Sequence, residues 1–391
     1  MTKKKIAIYN GQLYMGGIER VLINYLEKLA LEPELDITLI VKENIPEKNV
    51  FASEVPKNIK VEYIKSEELC RKTEGYRKNK KNLISRLMYQ WSLFYERVVT
   101  RKWVKEYFEK NRFDVIVDFD MSLMKYVDEI KNQDIVTWAH FTLKGKKKKR
   151  QEMYKTKFKK YRNIVLICDD MKSEFEEMYP EFKEKGIRIY NPMDFNTILK
   201  KSEDTKELSK EELALLKDDY FIGVSRLVGG KNRVAMVEIY SELKKRGRKE
   251  KLYILGDGPD RENIEKKIKE LNLEKDVLLL GQKKNPFPWM KNAKLFLHTS
   301  MGEGLPTVFI ESMLCDTIVV AYDCPTGPRE ILVDGKAGGL IALNDKKAFE
   351  DKVMEILENE ELQKSIKEEM YKKMDEFTYE YIRKDLLNVL K

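Results

Sequence analysis

Short apolar runs alternate along the chain with longer stretches whose apolar residues recur at helical spacing. A first series comprises "KIAIYN" (5–10), "DITLIV" (36–41), "DVIVDF" (114–119), "DIVTWA" (134–139) and "NIVLIC" (163–168). After "YNPMD" (190–194) and a charged stretch to about 218 a second series begins. It contains "YFIGVS" (220–225), "LYILG" (252–256), "VLLLG" (277–281), "LFLHT" (295–299) and "TIVVAY" (317–322). Such runs suit strands of a parallel sheet covered by helices on both faces, and the amphipathic stretches supply the crossovers. The pattern predicts an α/β protein of two doubly wound domains, joined near 191–218. The final segment, "EFTYEYIRKDLLNVLK", reads as a terminal helix. Ligands of such sheets bind beyond the carboxyl ends of the strands, so the natural site is the cleft between the domains.

Composition narrows the class. At 391 residues, 42% hydrophobic and 36% charged, the chain has enough material for two cores and reads as soluble. No apolar run reaches the roughly 18–20 residues that span a bilayer. The start, "MTKKKIAIYN", enters a strand with no signal-peptide core. Cys70, Cys168, Cys315 and Cys324 lack metal-type spacing and read as reduced thiols of a cytoplasmic protein. With only two histidines, a His-rich metal site is not expected.

The net charge of +9 is concentrated. Segment 71–112 has 13 Lys/Arg against 4 Glu, and segment 144–162 has 11 against one, so the remainder is net acidic. This clustering suggests an anionic partner: a membrane surface, a phosphorylated substrate or nucleic acid. Within 83–108, Leu83, Leu87, Trp91, Phe94, Val98 and Tyr107 follow a helical period flanked by Arg86, Arg97, Arg101, Lys102 and Lys105. Two readings stand: a basic amphipathic helix at a membrane interface, or a core-packed helix with a solvated cationic face. No nucleic-acid recognition motif accompanies the charges, and no nucleic-acid partner is expected.

Several strand-to-helix turns carry candidate chemistry. Gly11, Gly16 and Gly17 precede an apolar helical period starting at Ile18, where glycines let a phosphate approach helix amides or simply form a tight turn. In "SRLVGGKN" (225–232), Arg226 and Lys231 flank Gly229 and Gly230 and are placed to clamp a diphosphate, Arg by a fork and Lys as a point charge. Gly256 lies in "LGDGPDRENIE" (255–265), either a structural turn or a wall of the site. In "GEGLPTVFIES" (302–312), Pro306 suits a first helical turn. Glu303 then sits in the loop and Glu311 about two turns on, with amides near Gly304 and Leu305 at the helix end that favours an anion. No third ligand suggests a metal pair. "DFD" (118–120) ends a strand in the N-terminal half, and Asp120 is a candidate acceptor contact with no metal. His140, in "TWAHFT", is either a site residue or a buried hydrogen-bonded histidine, and His298 reads as core or sheet edge.

The combination of "GGIER" (16–20), "SRLVGGK" (225–231), "GDGP" (256–259), "HTSMGEGLPTVFIESM" (298–313) and "GPREIL" (327–332) resembles glycosyltransferase family 4, over about residues 4–340. The resemblance implies a GT-B fold: two Rossmann-like doubly wound domains facing a central cleft, 1–192 binding acceptor and 193–374 binding nucleotide sugar. A C-terminal helix, 375–391, would pack back on the N-terminal domain. It further implies that Arg226 and Lys231 bind the donor diphosphate, Glu311 the ribose and Glu303 the transferred sugar. Gly16 and Gly17 would close over the phosphates, and His140 would stand near the anomeric carbon. Gly256, Gln282, Gly304, Leu305, Pro306 and Thr307 complete the donor side, with base choice made by backbone around Gln282 and Lys283. No cofactor or metal is expected, because protein cations and helix ends supply the electrostatic work. The expected activity is retaining transfer of a hexose or N-acetylhexosamine from a nucleoside diphosphate sugar, UDP-linked, to a glycan or lipid-linked glycan. The setting would be bacterial surface polysaccharide or lipopolysaccharide assembly, at the inner face of the cell membrane, with segments 71–112 and 144–162 on anionic lipid. The alternative is a catalytically silent scaffold of the same fold.

Overall fold

The structure, a computed structural model, describes residues 3–79, 82–144 and 146–391. Lys80, Lys81 and Gly145, which fall in the two basic segments, lie outside the described residues. The chain forms two compact units. One comprises 1–167, 171–193 and 379–391, the other 168–170 and 194–378.

The first unit is built on strands β1 (Lys4–Asn10), β2 (Leu35–Val41), β3 (Lys60–Tyr63), β4 (Val115–Asp118), β5 (Asp134–Ala139), β6 (Asn163–Leu166) and β7 (Gly186–Arg188). Their order is β3-β2-β1-β4-β5-β6-β7, and every pairing is parallel. The second unit has β8 (Tyr220–Val224), β9 (Lys251–Leu255), β10 (Val277–Gly281), β11 (Leu295–His298), β12 (Val319–Tyr322) and β13 (Gly339–Ile341). Their order is β10-β9-β8-β11-β12-β13, again parallel. The central strands are the apolar runs of the sequence: Ile6, Ala7, Tyr9, Phe221, Ile222, Phe296 and Leu297 have no exposed surface. Burial on both faces removes each such side chain from water, worth about 1.5–3 kcal/mol for a large aliphatic.

Three strands were not evident in the sequence. β3, β7 and β13 are edge strands of three or four residues, and β3 and β7 are only partly buried. An edge strand has one neighbour and a wet margin, so it needs no continuous apolar run.

Helix α1 (Gly17–Leu29) follows β1 and turns Val21, Leu22, Tyr25, Leu26 and Leu29 inward. Helices α2 (Glu67–Lys78) and α3 (Leu83–Lys110) follow β3. Of the 28 residues of α3 only Ser92, Thr100, Val104 and Phe108 are buried. Leu83, Leu87, Trp91, Phe94 and Val98 are exposed, so the core-packed reading of this helix is corrected. The helical period was correctly read, but nothing in the described residues covers that side. Helix α4 (Lys148–Phe158) carries the second basic segment and buries Tyr154 and Phe158. No described helix is long and apolar enough to cross a membrane.

The terminal helix Tyr379–Val389 belongs to the first unit. Arg383 forks onto the buried carboxylate of Glu32 at 2.7 and 2.6 Å, and the Tyr379 hydroxyl donates to the same group at 2.7 Å.

Candidate active site

In each sheet the strand order reverses between two central neighbours, β1/β4 and β8/β11. Loops leaving such a pair diverge and open a crevice at the carboxyl edge. Most of the sequence-predicted residues fall on these loops.

In the second unit, β8 runs into "SRLVGGKN". Gly229–Lys231 forms one 3-10 turn, closed by Asn232 in the left-handed region (φ 50°, ψ 45°), which asparagine tolerates better than most residues. The loop after β11 is stitched to this turn. The Thr299 hydroxyl donates to Asn232 O at 2.9 Å, and the Met301 amide to Gly230 O at 2.9 Å. Glu303 is held in turn by the next loop, its amide donating to Pro325 O at 3.2 Å and its carbonyl accepting from the Thr326 hydroxyl.

These constraints bring three side chains together. Lys231 Nζ donates to both carboxylate oxygens of Glu303 at 2.5 and 2.6 Å, and His298 Nε2 lies 2.7 Å from Oε1. Because a carboxylate only accepts, Nε2 carries the imidazole proton. Glu303 is largely buried, and burial alone pushes its carboxyl up. The hydrogen bond from His298 and the Lys231 ammonium outweigh that and hold it below the ordinary carboxylate range. Burial pulls His298 down to about 4, so the ring is neutral at pH 7.

Beneath the cluster lies Arg233, with no exposed surface. Its Nε donates to the Ser225 hydroxyl at 2.9 Å and its Nη2 to Val224 O at 3.3 Å. Burial lowers it to about 10, with the charge of Glu303 opposing, and it stays a cation at neutral pH. Arg226, by contrast, is exposed on the same loop.

The "GDGP" turn is packed backbone to backbone against residues 225–227. Gly256 has φ +129°, and a Cβ there would stand 1.8 Å from Ser225 O. At Gly258 it would stand 2.2 Å from Leu227 O. The Leu227 amide donates to Asp257 O at 3.0 Å. These glycines thus set the position of the Arg226 loop.

Thr307–Leu314 forms a helix, and Pro306 is its cap, one residue ahead of the first turn expected for it. The first helical bond runs from the Phe309 amide to Pro306 O at 2.9 Å, leaving the Thr307 and Val308 amides ahead of the ladder. Leu305 and Pro306 are buried and Gly304 is half-buried. Gly327, at φ +92°, lies so close that a Cβ would meet Gly304 O at 2.6 Å. Glu311 is half-buried and shares a helix face with Thr307, four residues before it. The greasy residues between the two glutamates, Phe309 and Ile310, are fully buried. Gln282 lies elsewhere in this unit, on a cavity of about 290 Å³ lined with Glu212, Lys283 and Asn285.

In the first unit, Gly16 caps α1 with extended backbone, and Gly17 opens the helix. Nearby Glu19 is buried and accepts from Gln12 Nε2 at 3.1 Å. Asp118 and Asp120 divide the work of "DFD". Asp118 is fully buried, accepts from Tyr161 OH at 2.7 Å and the Leu123 amide at 3.0 Å, and is pushed up to about 8 by burial and then by Asp120. Asp120 accepts from the Gly11 amide at 2.9 Å and from the amide and hydroxyl of Ser122 at 3.0 and 2.6 Å. Asp120 lines a cavity of about 300 Å³ with Gly11, Tyr14, Lys42, Arg77, Tyr89 and Glu96. His140 follows β5, its ring 4.6 Å from that of Phe119. The residue is partly exposed, but Nε2 is buried and has no hydrogen-bond partner. Burial lowers the ring to about 3, against a hydrogen bond to the Phe119 backbone.

Sequence reasoning had no role for Arg233 and read His298 as core or sheet edge. His298 is indeed buried, and it also holds Glu303. The available signal was its place at a strand's carboxyl end, five residues before the glutamate.

Comparison with known proteins adds a family match in the second unit. The family described as Glycosyl transferases group 1 matches residues 204–373. The N-acetylgalactosamine-N,N'-diacetylbacillosaminyl-diphospho-undecaprenol 4-alpha-N-acetylgalactosaminyltransferase of Campylobacter jejuni is 32% identical over 59% of this chain and 61% of its own length. The lipopolysaccharide 1,6-galactosyltransferase of Salmonella typhimurium is 24% identical over 61% and 63%. The matches thus span less than two thirds of either relative. Among solved structures, Anabaena HepE in complex with UDP superposes with a TM-score of 0.76 at 17% identity, covering 99% of each chain. That likeness shows a GT-B fold, with Rossmann-like units in both halves.

Proposed function

We infer, from the match of residues 204–373 to the group 1 glycosyltransferases, that the protein transfers a sugar from a nucleotide donor to a glycan. In this reading the donor is a UDP-sugar, the transferred group a hexose or N-acetylhexosamine, and the acceptor a glycan or lipid-linked glycan of bacterial surface polysaccharide or lipopolysaccharide assembly. The UDP-bound neighbour and the undecaprenol-linked substrate named for the Campylobacter relative support it. The setting proposed is the cytoplasmic face of the membrane.

The observation that carries the reading is the Lys231–Glu303–His298 cluster at the β8/β11 switch point, beside the start of the helix Thr307–Leu314. Without donor, Lys231 is neutralised by Glu303. A diphosphate arriving at the helix start would share that ammonium and take the forked contact of Arg226. Glu303, held as a carboxylate by His298 and Lys231, then accepts hydroxyl protons from the transferred sugar. Glu311 does the same for the ribose. For the first unit the proposal assigns His140, a neutral ring with an unpartnered nitrogen, to the reacting carbon, Asp120 to an acceptor hydroxyl and Gly16–Gly17 to the phosphates.

As the bond from the anomeric carbon to the diphosphate breaks, negative charge grows on the leaving oxygen. Arg226, Lys231 and the helix amides stabilise it there more than in the bound donor, which is what speeds the step. Retention follows if the acceptor oxygen enters on the face the diphosphate leaves, with the diphosphate taking the acceptor proton. No bound metal is needed in this scheme.

The test is a thermal-shift comparison of UDP, GDP and ADP, followed by product mass spectrometry with UDP-sugars and a lipid extract. UDP should stabilise the protein, and Lys231→Ala or Glu311→Ala should nearly abolish transfer while leaving the fold intact. Unchanged turnover in both variants would sink the assignment.

A further inference from the structure

Helix α3 has two dissimilar sides. One packs on the protein: the Thr73 hydroxyl bonds that of Ser92, Glu96 pairs with buried Lys65 at 2.9 Å, and Val104 and Phe108 are covered. The other side shows Leu83, Ile84, Leu87, Trp91, Phe94 and Val98, each between 48 and 70% exposed. At about 100° per residue these six fall within an arc of roughly 100° over some four turns. Tyr95 stacks on Trp91 at 5.6 Å, extending the ridge with a second amphipathic ring. A contiguous apolar ridge of this size marks a surface made to be covered.

Charge identifies what covers it. Arg97 runs along one flank, and Arg101, Lys102 and Lys105 continue the ridge toward the helix end, all exposed. Between Leu83 and Lys105 the only acidic residue is Glu96, on the opposite side and bonded to Lys65. Glu106 and Glu109 follow at the helix end, and Arg101 and Lys102 make exposed pairs with Glu129 at 3.2 Å and Glu106 at 3.9 Å. The stretch from Leu83 to Lys105 still holds five cations against one acid, so a second copy pairing through it would set like charges together. A bilayer containing anionic lipid offers hydrocarbon to the apolar residues, a headgroup layer to Trp91 and Tyr95, and phosphates to the cations.

We propose that α3 is an interfacial anchor, lying in the headgroup layer of an anionic bilayer with the Leu83–Val98 ridge inserted and Arg97, Arg101, Lys102 and Lys105 on lipid phosphates. The packed side of α3 contributes Tyr89, Leu93 and Glu96 to the cavity that also contains Asp120. An anchored α3 thus holds that cavity about one helix diameter, roughly 10 Å, from the lipid surface. That is within reach of sugars on a lipid-linked acceptor, and this last clause rests on the function proposed above.

The test uses the full chain with vesicles of phosphatidylcholine, alone or containing phosphatidylglycerol. Wild type should co-sediment with the anionic vesicles, less so at high salt, with a blue shift of Trp91 emission that Trp91→Phe removes. Leu87→Glu with Phe94→Glu should lower partitioning at least about tenfold, and each of Arg101→Gln and Lys102→Gln about fivefold. All these side chains are exposed, and stabilisation by UDP should persist in every variant as the control for folding. The proposal is overturned by equal partitioning of wild type and the double variant, by indifference to phosphatidylglycerol, or by a dimer that the double variant dissociates. Lipid binding by a chain that UDP does not stabilise would sustain the anchor and remove the donor reading instead.

Discussion

Replacing Lys231 with alanine probes the centre of the proposed donor site in two independent ways. Its ammonium touches both oxygens of a carboxylate that is 10% exposed and itself touches a histidine 1% exposed. Opposite charges about 4 Å apart at an effective dielectric of about 20 attract by about 4 kcal/mol. Lys231 is 25% exposed, and removing it also cancels the cost of its own desolvation. The expected net loss of stability is therefore about 2–3 kcal/mol, read as a lower urea midpoint at pH 7.5. The second readout is His298. Burial is the main reason its pKa lies at about 4, with Arg233 and Lys231 lowering it further and Glu303 opposing. Without Lys231, Glu303 has His298 as its remaining side-chain donor, and protonating that ring completes a new ion pair. The pKa should rise, kept under the ordinary 6.5 by burial and by Arg233. The chain has only two histidines, so a histidine carbon–proton spectrum shows two resonances, assigned by His140→Gln. In wild type neither should titrate above about pH 5, and in Lys231→Ala the His298 midpoint should lie above its wild-type value. A His298 resonance that does not move, with a midpoint changed by less than about 0.5 kcal/mol, would refute the argument.

Other outcomes follow from geometry already given. Gly256→Ala must displace the backbone of Ser225, since the new Cβ would stand 1.8 Å from its carbonyl at a φ of +129°. A loss of about 3 kcal/mol or more in urea unfolding, together with loss of stabilisation by UDP, is expected. Glu311→Ala, at a half-buried helix position, should leave the unfolding midpoint within about 1 kcal/mol while weakening UDP in calorimetry at least about tenfold. His140, lowered from 6.5 to about 3 by burial, binds its proton in the unfolded chain before it does in the folded one. Stability should therefore fall as pH drops from about 6.5 toward 3, by about 2 kcal/mol at pH 5 from this residue alone. His140→Gln should lose that part of the pH dependence, measured as the difference between urea midpoints at pH 7 and pH 5.

The central strands were legible because a strand covered on both faces must be apolar at every position, and a run such as "YFIGV" has few other ways to be read. Of the edges only β10, "VLLLG", was legible; "KVEY" and "GIR" carry no such demand. Lys231 was visible through its glycine-bearing turn. Arg233, two residues on, was not: in "KNRVAMVEIY" it occupies an ordinary helical position, and only the fold of Ser225 and Val224 beneath it reveals a buried cation. His298 sits inside an apolar strand, and its polar partner arrives from a loop whose path is fixed by Gly230, Pro325 and Thr326. Periodicity located the apolar side of α3, but it carries no information about whether that side finds a cover.

The return of the last helix to the first unit has a consequence for how the molecule is made. Residues 1–193 leave the ribosome without the segment that completes their own unit, because 379–391 is synthesised well after them. At about 5–20 residues per second, that surface waits on the order of ten seconds or more. Until then the buried carboxylate of Glu32 lacks Arg383 and Tyr379, and whatever will lie against Leu386, Leu387 and Leu390 stays wet. The first unit therefore starts before the second and is completed after it, when Tyr379–Lys391 arrives.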